Sequence, residues 1–212
     1  LLVCASGFAV IFFAGLSWKF LLLMISCAAA ALPVVWSMMY DYQRQRVLTL
    51  LDPSSDPLGA GFHTLQSIIA IGSGGMTGKG WMNGTQAHLD FIPERTSDFL
   101  FAVFSEEFGF FGDVGLLLLY TLLIMRTLYI ASVASTMFER LTAGAIAAIF
   151  LMYSFVNMGM VSGILPVVGV PLPFMSYGGT ALLILGICCG LLMKISAGRR
   201  IKESLYGDSY RS

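Results

Sequence analysis

The chain has 212 residues, of which 57% are hydrophobic and 11% charged, and its formal net charge at pH 7 is zero. So apolar a composition lies well outside soluble-domain usage and predicts a membrane protein. The balance of charges excludes a surface built to neutralise nucleic-acid phosphates, so no nucleic-acid partner is expected. The four cysteines fall in apolar runs without the spacing of a zinc or redox site, and we interpret them as packing residues.

The first half of the chain contains three candidate spans of unequal length. They cover residues 1–16, 20–40 and 60–75. The first is short for a hydrocarbon core of ~30 Å, as expected if the chain is the C-terminal part of a longer protein. Arg44, Arg46 and two Asp-Pro pairs mark a water-exposed connection between the second and third spans. The third span is short and contains His63 and Gln66, so hydropathy alone does not predict that it crosses.

Charge asymmetry decides how the chain crosses the membrane. Three further spans are expected over residues 100–129, 141–163 and 177–196, and the last contains Lys194 near its end and is followed by Arg199, Arg200 and Lys202. The positive-inside rule places this basic C-terminus in the cytoplasm, together with Arg44 and Arg46. That arrangement requires residues 60–75 to cross, which puts a large loop over residues 76–98 outside. The sequence therefore predicts an all-α polytopic membrane protein with about six transmembrane helices, forming a single domain over residues 1–212.

The polar loop ends in the sequence PERTSD, whose last residue is Asp98. A carboxylate at the start of a membrane helix has two interpretations. It is a helix cap favoured by the helix dipole, or a general base held on a rigid element. Lys79 and Arg95 could neutralise phosphates, or they could be interfacial anchors and solvated charges.

The remaining acids and histidines of the loop indicate no resident cofactor. Asp90 and Glu94 could partner the cations or bind a divalent cation, which stays open, although a solvated surface is the simpler interpretation. His63 and His88 lack the spacing of a metal site. The cluster from Gly72 to Gly75 lacks the flanking pattern of a phosphate-binding loop and predicts a turn that ends a helix.

Two further regions contain candidate site residues. Glu106 and Glu107 lie in an apolar helix, where acids are functional candidates by default, and helical spacing turns Glu106 towards water or a polar cavity. Ser176 precedes the last helix and could help to bind an anion there, or simply start the helix. The proline-rich segment 164–179 has irregular backbone that needs cover, so we expect it to pack against the polar loop from the same side.

Five motifs carry a resemblance to a known family. In chain order they read DYQRQRV, LLDPSSDPLGAGFH, QSIIAIGSGGMTGKGWMNGTQ, FIPERTSDFLFAVFSEEFGF and GILPVVGVPLPFMSYGG. Together they resemble the C-terminal portion of the RodA/FtsW/SpoVE family of shape, elongation, division and sporulation (SEDS) proteins. The resemblance covers nearly the whole chain. It implies a fold of about ten membrane helices, of which this chain would hold roughly the last six, with the large external loop where charge asymmetry places it.

The resemblance also implies an activity. Family members are bacterial inner-membrane peptidoglycan glycosyltransferases that polymerise lipid II during cell elongation and cell-shape maintenance. Their implied partners are a class B penicillin-binding protein transpeptidase and other membrane proteins of the elongation complex. The family's essential aspartate falls on Asp98, as general base. Substrate-binding candidates are Lys79, Gln86, Glu94, Arg95, Glu106 and Ser176.

Two other functions stay open for the same residues. One is a lipid II flippase or transporter, and the other is a non-catalytic scaffold of the cell-wall synthesis complex. The candidate charges cluster on one outer face, which favours chemistry at the surface over a path through the membrane. Because the first four or so family helices would be missing, we expect the isolated 212-residue chain to have no polymerase activity.

Overall fold

The computed structural model describes residues 7, 18–41, 43–44, 60–84 and 97–207. The predicted span over residues 1–16 lies outside this description except for Gly7. Five helices are described, namely α1 (Trp18–Met38), α2 (Ala60–Gly74), α3 (Leu100–Val133), α4 (Met137–Val161) and α5 (Gly179–Gly207). Three segments, Leu100–Val133, Met137–Val161 and Gly179–Gly198, are long and apolar enough to cross a membrane. The prediction of an all-α polytopic membrane fold is confirmed.

The contacts of the chain divide into two compact units, whereas the sequence predicts one domain. One unit takes in the described residues within Leu16–Leu116 and Phe155–Tyr177. The other takes in those within Leu117–Ser154 and Gly178–Ser212, together with Gly7. Helices α3 and α4 each contribute residues to both units. All candidate site residues that the structure describes belong to the first unit.

The second unit is held by an apolar core at helical spacing. Helix α4 contributes Ala143, Ile146 and Phe150, and α5 contributes Leu185, Cys188, Leu192 and Ile195, all of them buried together with Ile130 of α3. Steps of three and four residues place each set on one face of its helix. The core is therefore a seam between helices, as the hydrophobic periodicity of these spans requires.

Local signals in the sequence explain two helix ends. Thr136 and Glu139 form a capping box before α4, because the Glu139 amide donates to the Thr136 hydroxyl at 3.2 Å and the Thr136 amide donates to the Glu139 carboxylate at 3.1 Å. At the other end of the chain, the Arg44 guanidinium donates to the carbonyl oxygens of Trp36 and Ser37 in the last turn of α1. Arg44 therefore satisfies carbonyls that have no partner within the helix.

Helix α3, which the sequence predicts as one continuous span over residues 100–129, is broken at Gly109. Its φ of 65° and ψ of −167° are not helical and belong to a region open essentially to glycine alone. The span predicted over residues 100–129 is therefore two helical segments that meet at this residue. The physical reason lies in a second stretch of backbone that packs against the break.

Candidate functional site

The glycine cluster that follows α2 forms a tight turn. Helix α2 ends at Gly74, and Gly75 and Gly78 adopt positive φ values of 58° and 77°. The Gly78 amide donates to the Gly74 carbonyl at 2.9 Å, which closes the turn. The prediction of a helix-ending turn at these glycines is confirmed.

This turn pairs with the break in α3 through four main-chain hydrogen bonds, an arrangement that we call the backbone joint (residues 75–80 and 106–111). The amides of Lys79 and Gly80 donate to the carbonyls of Glu106 and Glu107, each at 3.0 Å. In return, the amides of Phe110 and Phe111 donate to the carbonyls of Gly75 and Met76, at 2.9 and 3.2 Å. The joint therefore satisfies the polar groups that a broken helix leaves without partners.

An ion pair between a partly exposed lysine and a buried glutamate lies beside the joint. The ammonium of Lys79 lies 2.6 Å from Oε1 of Glu106, whose side chain has no exposed surface. The Ser73 hydroxyl is 3.4 Å from the same oxygen, and the Glu107 carboxylate accepts the Met82 amide at 3.1 Å. Of the two environments expected for Glu106, water or a polar cavity, direct exposure to water is excluded because its side chain has no exposed surface, and Lys79 and Ser73 supply polar neighbours instead. The pair fastens the start of the polar loop to α3.

Asp98 lies just before α3, and the residue is partly exposed. The carbonyl oxygen of Asp98 accepts a hydrogen bond of 2.8 Å from Nδ2 of Asn157. The same nitrogen donates to the Val170 carbonyl at 2.6 Å, so one amide bridges the start of α3 and the proline-rich loop. The prediction that this loop packs against the end of the polar loop is confirmed for residues 97 and 98.

The hydroxyl of Ser176 forms a second bridge next to the first. It donates to the Ser97 carbonyl at 2.5 Å and accepts the Leu172 amide at 2.8 Å. The turn from Leu172 to Ser176 includes Phe174, whose φ of 63° is unusual for an aromatic residue. Ser176 is 4% exposed, and its hydroxyl hydrogen-bonds with the main chain at Ser97 and Leu172.

The carboxylate of Asp98 lies beside a glycine of the proline-rich loop. A Cβ atom added at Gly169 would stand 3.1 Å from Oδ2 of Asp98, closer than an ordinary van der Waals contact. Gly169 also adopts a φ of 72°, which side chains rarely allow. At this position the loop therefore presents only main-chain atoms to the carboxylate, because Gly169 has no side chain. Asp98 as a residue remains partly exposed.

The structure sorts the predicted site residues into two clusters and a remainder. Lys79 meets Glu106 at the backbone joint, and Ser176 meets the main chain next to Asp98. Gln86, Glu94 and Arg95 lie outside the described residues. That any of these side chains contacts substrate stays a prediction, as does the stabilisation of a phosphate by Lys79 and Arg95.

Sequence reasoning missed two residues of these clusters. Asn157 lies fully buried in the apolar run of α4, and the Asp113 carboxylate lies 2.7 Å from the Ser105 hydroxyl eight residues earlier. Eight residues of an unbroken helix span about 12 Å, so this contact requires the break at Gly109. Both are polar residues within membrane helices, which is itself a signal of function.

The described part of the chain holds no group of three or more His, Cys, Asp and Glu side chains able to bind a metal ion. The candidate residues that the structure describes thus form two groups, namely Asp98 with the side chains that bind its main chain, and the Lys79–Glu106 ion pair. Three long apolar helices define a multi-pass membrane protein, in which Asp98 stands just before α3 with its main-chain carbonyl bound by Asn157. The chain belongs to the FtsW/RodA/SpoVE family, because the family model described as "Cell cycle protein" matches residues 1–201.

Named relatives agree with this assignment. MrdB of Escherichia coli (strain K12), a peptidoglycan glycosyltransferase, is 56% identical over 202 residues, which are 95% of this chain and 55% of MrdB. RodA of Treponema pallidum (strain Nichols), named in the same way, is 42% identical over 174 residues, or 82% of this chain and 40% of RodA. The chain therefore spans about half the length of the curated relatives that it matches.

A solved structure agrees as well. It is described as "Structural coordination of polymerization and crosslinking by a peptidoglycan synthase complex", and it matches with a TM-score of 0.78 at 34% identity. The match covers 93% of this chain and 55% of that one. The resemblance indicated by the five motifs is confirmed at the level of the family.

Proposed function

We propose that the chain is the catalytic C-terminal part of a peptidoglycan glycosyltransferase that polymerises lipid II during cell elongation. The observation that carries the proposal is the 56% identity to a peptidoglycan glycosyltransferase over 95% of this chain. A transpeptidase of the class B penicillin-binding proteins is the proposed partner, because the matched structure comes from a complex that couples polymerization to crosslinking.

Asp98 is the proposed general base of this reaction. Its carboxylate takes the proton of the acceptor sugar hydroxyl as that oxygen forms a bond to the anomeric carbon of the donor. The bond between this carbon and the pyrophosphate oxygen breaks at the same time, so the lipid pyrophosphate leaves with the electron pair and the configuration inverts. A base must be held within hydrogen-bond reach of its proton, and the supports of the Asp98 main chain favour such a placement.

The test measures polymerisation of labelled lipid II by the full-length protein in detergent. Asp98→Asn should lower the rate by about 10²- to 10⁴-fold, the usual contribution of a general base. Glu139→Gln is the matched control, because it removes a carboxylate from a capping box in which glutamine also serves. Wild-type polymer formation by Asp98→Asn would refute the assignment. Lipid II transport without polymer by the wild-type protein would favour the flippase alternative.

The proposal includes an orientation, with the C-terminus in the cytoplasm and residues 76–98 outside, because basic residues follow the last span. A membrane-impermeant thiol reagent tests it on spheroplasts that express the protein without its native cysteines. The reagent should label Trp81→Cys, at an exposed position of the loop, and leave Ser135→Cys, at an exposed position between α3 and α4, unlabelled. The opposite pattern would reverse the orientation.

A further inference from the structure

Asn157 donates both protons of its side-chain amide to main-chain carbonyls of the site. Nδ2 donates to the carbonyls of Asp98 and Val170, and the side chain is fully buried. An amide nitrogen has two protons, so these bonds use its full donor capacity. Asn157 therefore fixes the start of α3 and the proline-rich loop relative to one point on α4.

The acceptor half of the same amide behaves differently. Oδ1 of Asn157 is buried and has no hydrogen-bond partner in the part of the chain that the structure describes. A buried polar atom without a partner lowers stability, so an asparagine is a poor choice if packing alone matters. The useful property of this side chain is its pair of donors.

Both acceptors of Asn157 belong to main chain that is close to the Asp98 carboxylate. The first is the carbonyl of Asp98 itself, whose peptide plane sets the direction of the residue's main chain. The second belongs to Val170, next to Gly169, the residue whose added Cβ would stand 3.1 Å from Oδ2 of Asp98. One side chain therefore controls both the residue that bears the carboxylate and the backbone against which the carboxylate rests.

Neighbouring contacts leave this arrangement little freedom. The Ser176 hydroxyl holds the Ser97 carbonyl, so the two carbonyls that precede α3 are both bound by side chains. Val170 and Leu172 are buried, at 5% and 1% exposure. Loss of Asn157 would leave the Asp98 carbonyl without this bond, and rotation of its peptide would re-aim the carboxylate.

We propose that Asn157 is a positioning residue that acts through Asp98, by fixing the peptide of Asp98 against the loop at Val170. The inference rests on the proposed function, in which Asp98 is the general base. Misplacement of a reacting group by about 1 Å can cost about 10²-fold in rate. Asn157 itself touches neither substrate nor the transferred proton.

The experiment compares Asn157→Ala and Asn157→Leu with Ser154→Ala in the full-length protein, with labelled lipid II as substrate. Ser154 is a matched control because it is buried on the same helix and its hydroxyl donates to Phe150 within that helix. Both Asn157 variants should lower kcat by about 10- to 100-fold, with KM changed by less than about twofold. Ser154→Ala should retain the wild-type kcat. A wild-type kcat in folded Asn157→Ala and Asn157→Leu would overturn the inference.

A double variant separates positioning from a general loss of structure. Because Asn157 acts through the carboxylate, Asn157→Ala should cause no further loss of rate once Asp98→Asn has removed the base. A purely structural role predicts the same fold-loss in both backgrounds, and that result would overturn the inference. Thermal unfolding of each variant in detergent shows whether the compared proteins are folded at the assay temperature.

The possible results distinguish failure of the inference about Asn157 from failure of the proposed function. Absence of polymer from the wild-type protein, or a wild-type rate from Asp98→Asn, would refute the proposed function. Polymer from the wild type, its loss in Asp98→Asn and a wild-type kcat in the Asn157 variants would refute the inference alone. Loss of kcat in the Asn157 variants, with no further loss in the double variant, supports both.

Discussion

The Nζ atom of Lys79 lies 2.6 Å from Oε1 of Glu106, although 27 residues separate them in the chain and Glu106 has no exposed surface. A buried carboxylate is costly unless a cation and hydrogen bonds accompany it, and here Lys79 and Ser73 provide them. The ion pair therefore helps to stabilise the backbone joint, and its contribution to the free energy of unfolding can be measured.

The first prediction concerns the free energy of unfolding. Lys79→Met should lower it by about 3–5 kcal/mol, because Glu106 would be left as an unpaired buried charge. Adding Glu106→Gln should recover most of that loss, because the remaining side chain is neutral. Chemical denaturation in detergent measures both, with Lys194→Met at an exposed position as control. A Lys79→Met protein of wild-type stability would contradict the prediction.

The same double variant tests the predicted phosphate contact of Lys79. If the ammonium only supports the joint, Lys79→Met/Glu106→Gln should polymerise lipid II at close to the wild-type rate. Restored stability with a rate that stays low would instead favour contact of Lys79 or Glu106 with substrate, and a normal rate in Glu106→Gln alone would assign that contact to Lys79. The two measurements together separate support of the fold from contact with substrate.

A second prediction compares two glycines of α3. Gly109→Ala should lower the stability by at least about 1–3 kcal/mol, because φ is 65° and the added Cβ would overlap the backbone of Thr77 and Gly78. Gly115→Ala should leave stability unchanged or raise it by up to about 1 kcal/mol, because nothing lies within 4 Å of its Cβ position. Equal effects of the two substitutions on stability would show that the folded protein does not depend on the break in α3 at Gly109.

A third prediction concerns the glycine beside the carboxylate. Gly169→Ala should lower kcat by about 10- to 100-fold, because its Cβ would crowd Oδ2 of Asp98 and its φ of 72° disfavours a side chain. Gly186→Ala in α5 is the control, because its Cβ position is open. Rates are measured with labelled lipid II at saturation. A Gly169→Ala protein with the wild-type kcat would show that the carboxylate tolerates displacement at this point.

Patterns in the sequence predicted those features that depend on local chemistry. Apolar runs gave the positions of α3, α4 and α5, and the glycine cluster after α2 gave the turn that ends it. The prolines of segment 164–179 indicated irregular backbone that must be covered, and that reasoning led to the contact with residues 97 and 98. Such features follow from the preferences of single residues.

Contacts between residues that are far apart in the chain could not be predicted from these local patterns. Gly109 reads as an ordinary small residue in a helix, because the break depends on backbone near Gly78, far earlier in the chain. Helical spacing predicted polar surroundings for Glu106, yet it could not identify Lys79, 27 positions earlier in the chain, as its partner. Asn157 was detectable as a polar residue in an apolar run, but its two carbonyl acceptors were not.

The backbone joint has a consequence for the order in which the protein is assembled. Helix α2 has 15 residues and is about 22 Å long, less than the ~30 Å of a hydrocarbon core. The amides and carbonyls just beyond it find their partners in residues 106–111, which the ribosome delivers later. The backbone joint therefore cannot close until residues 106–111 have been synthesised. The turn after α2 and the first part of α3 thus complete their main-chain hydrogen bonds as one folding unit.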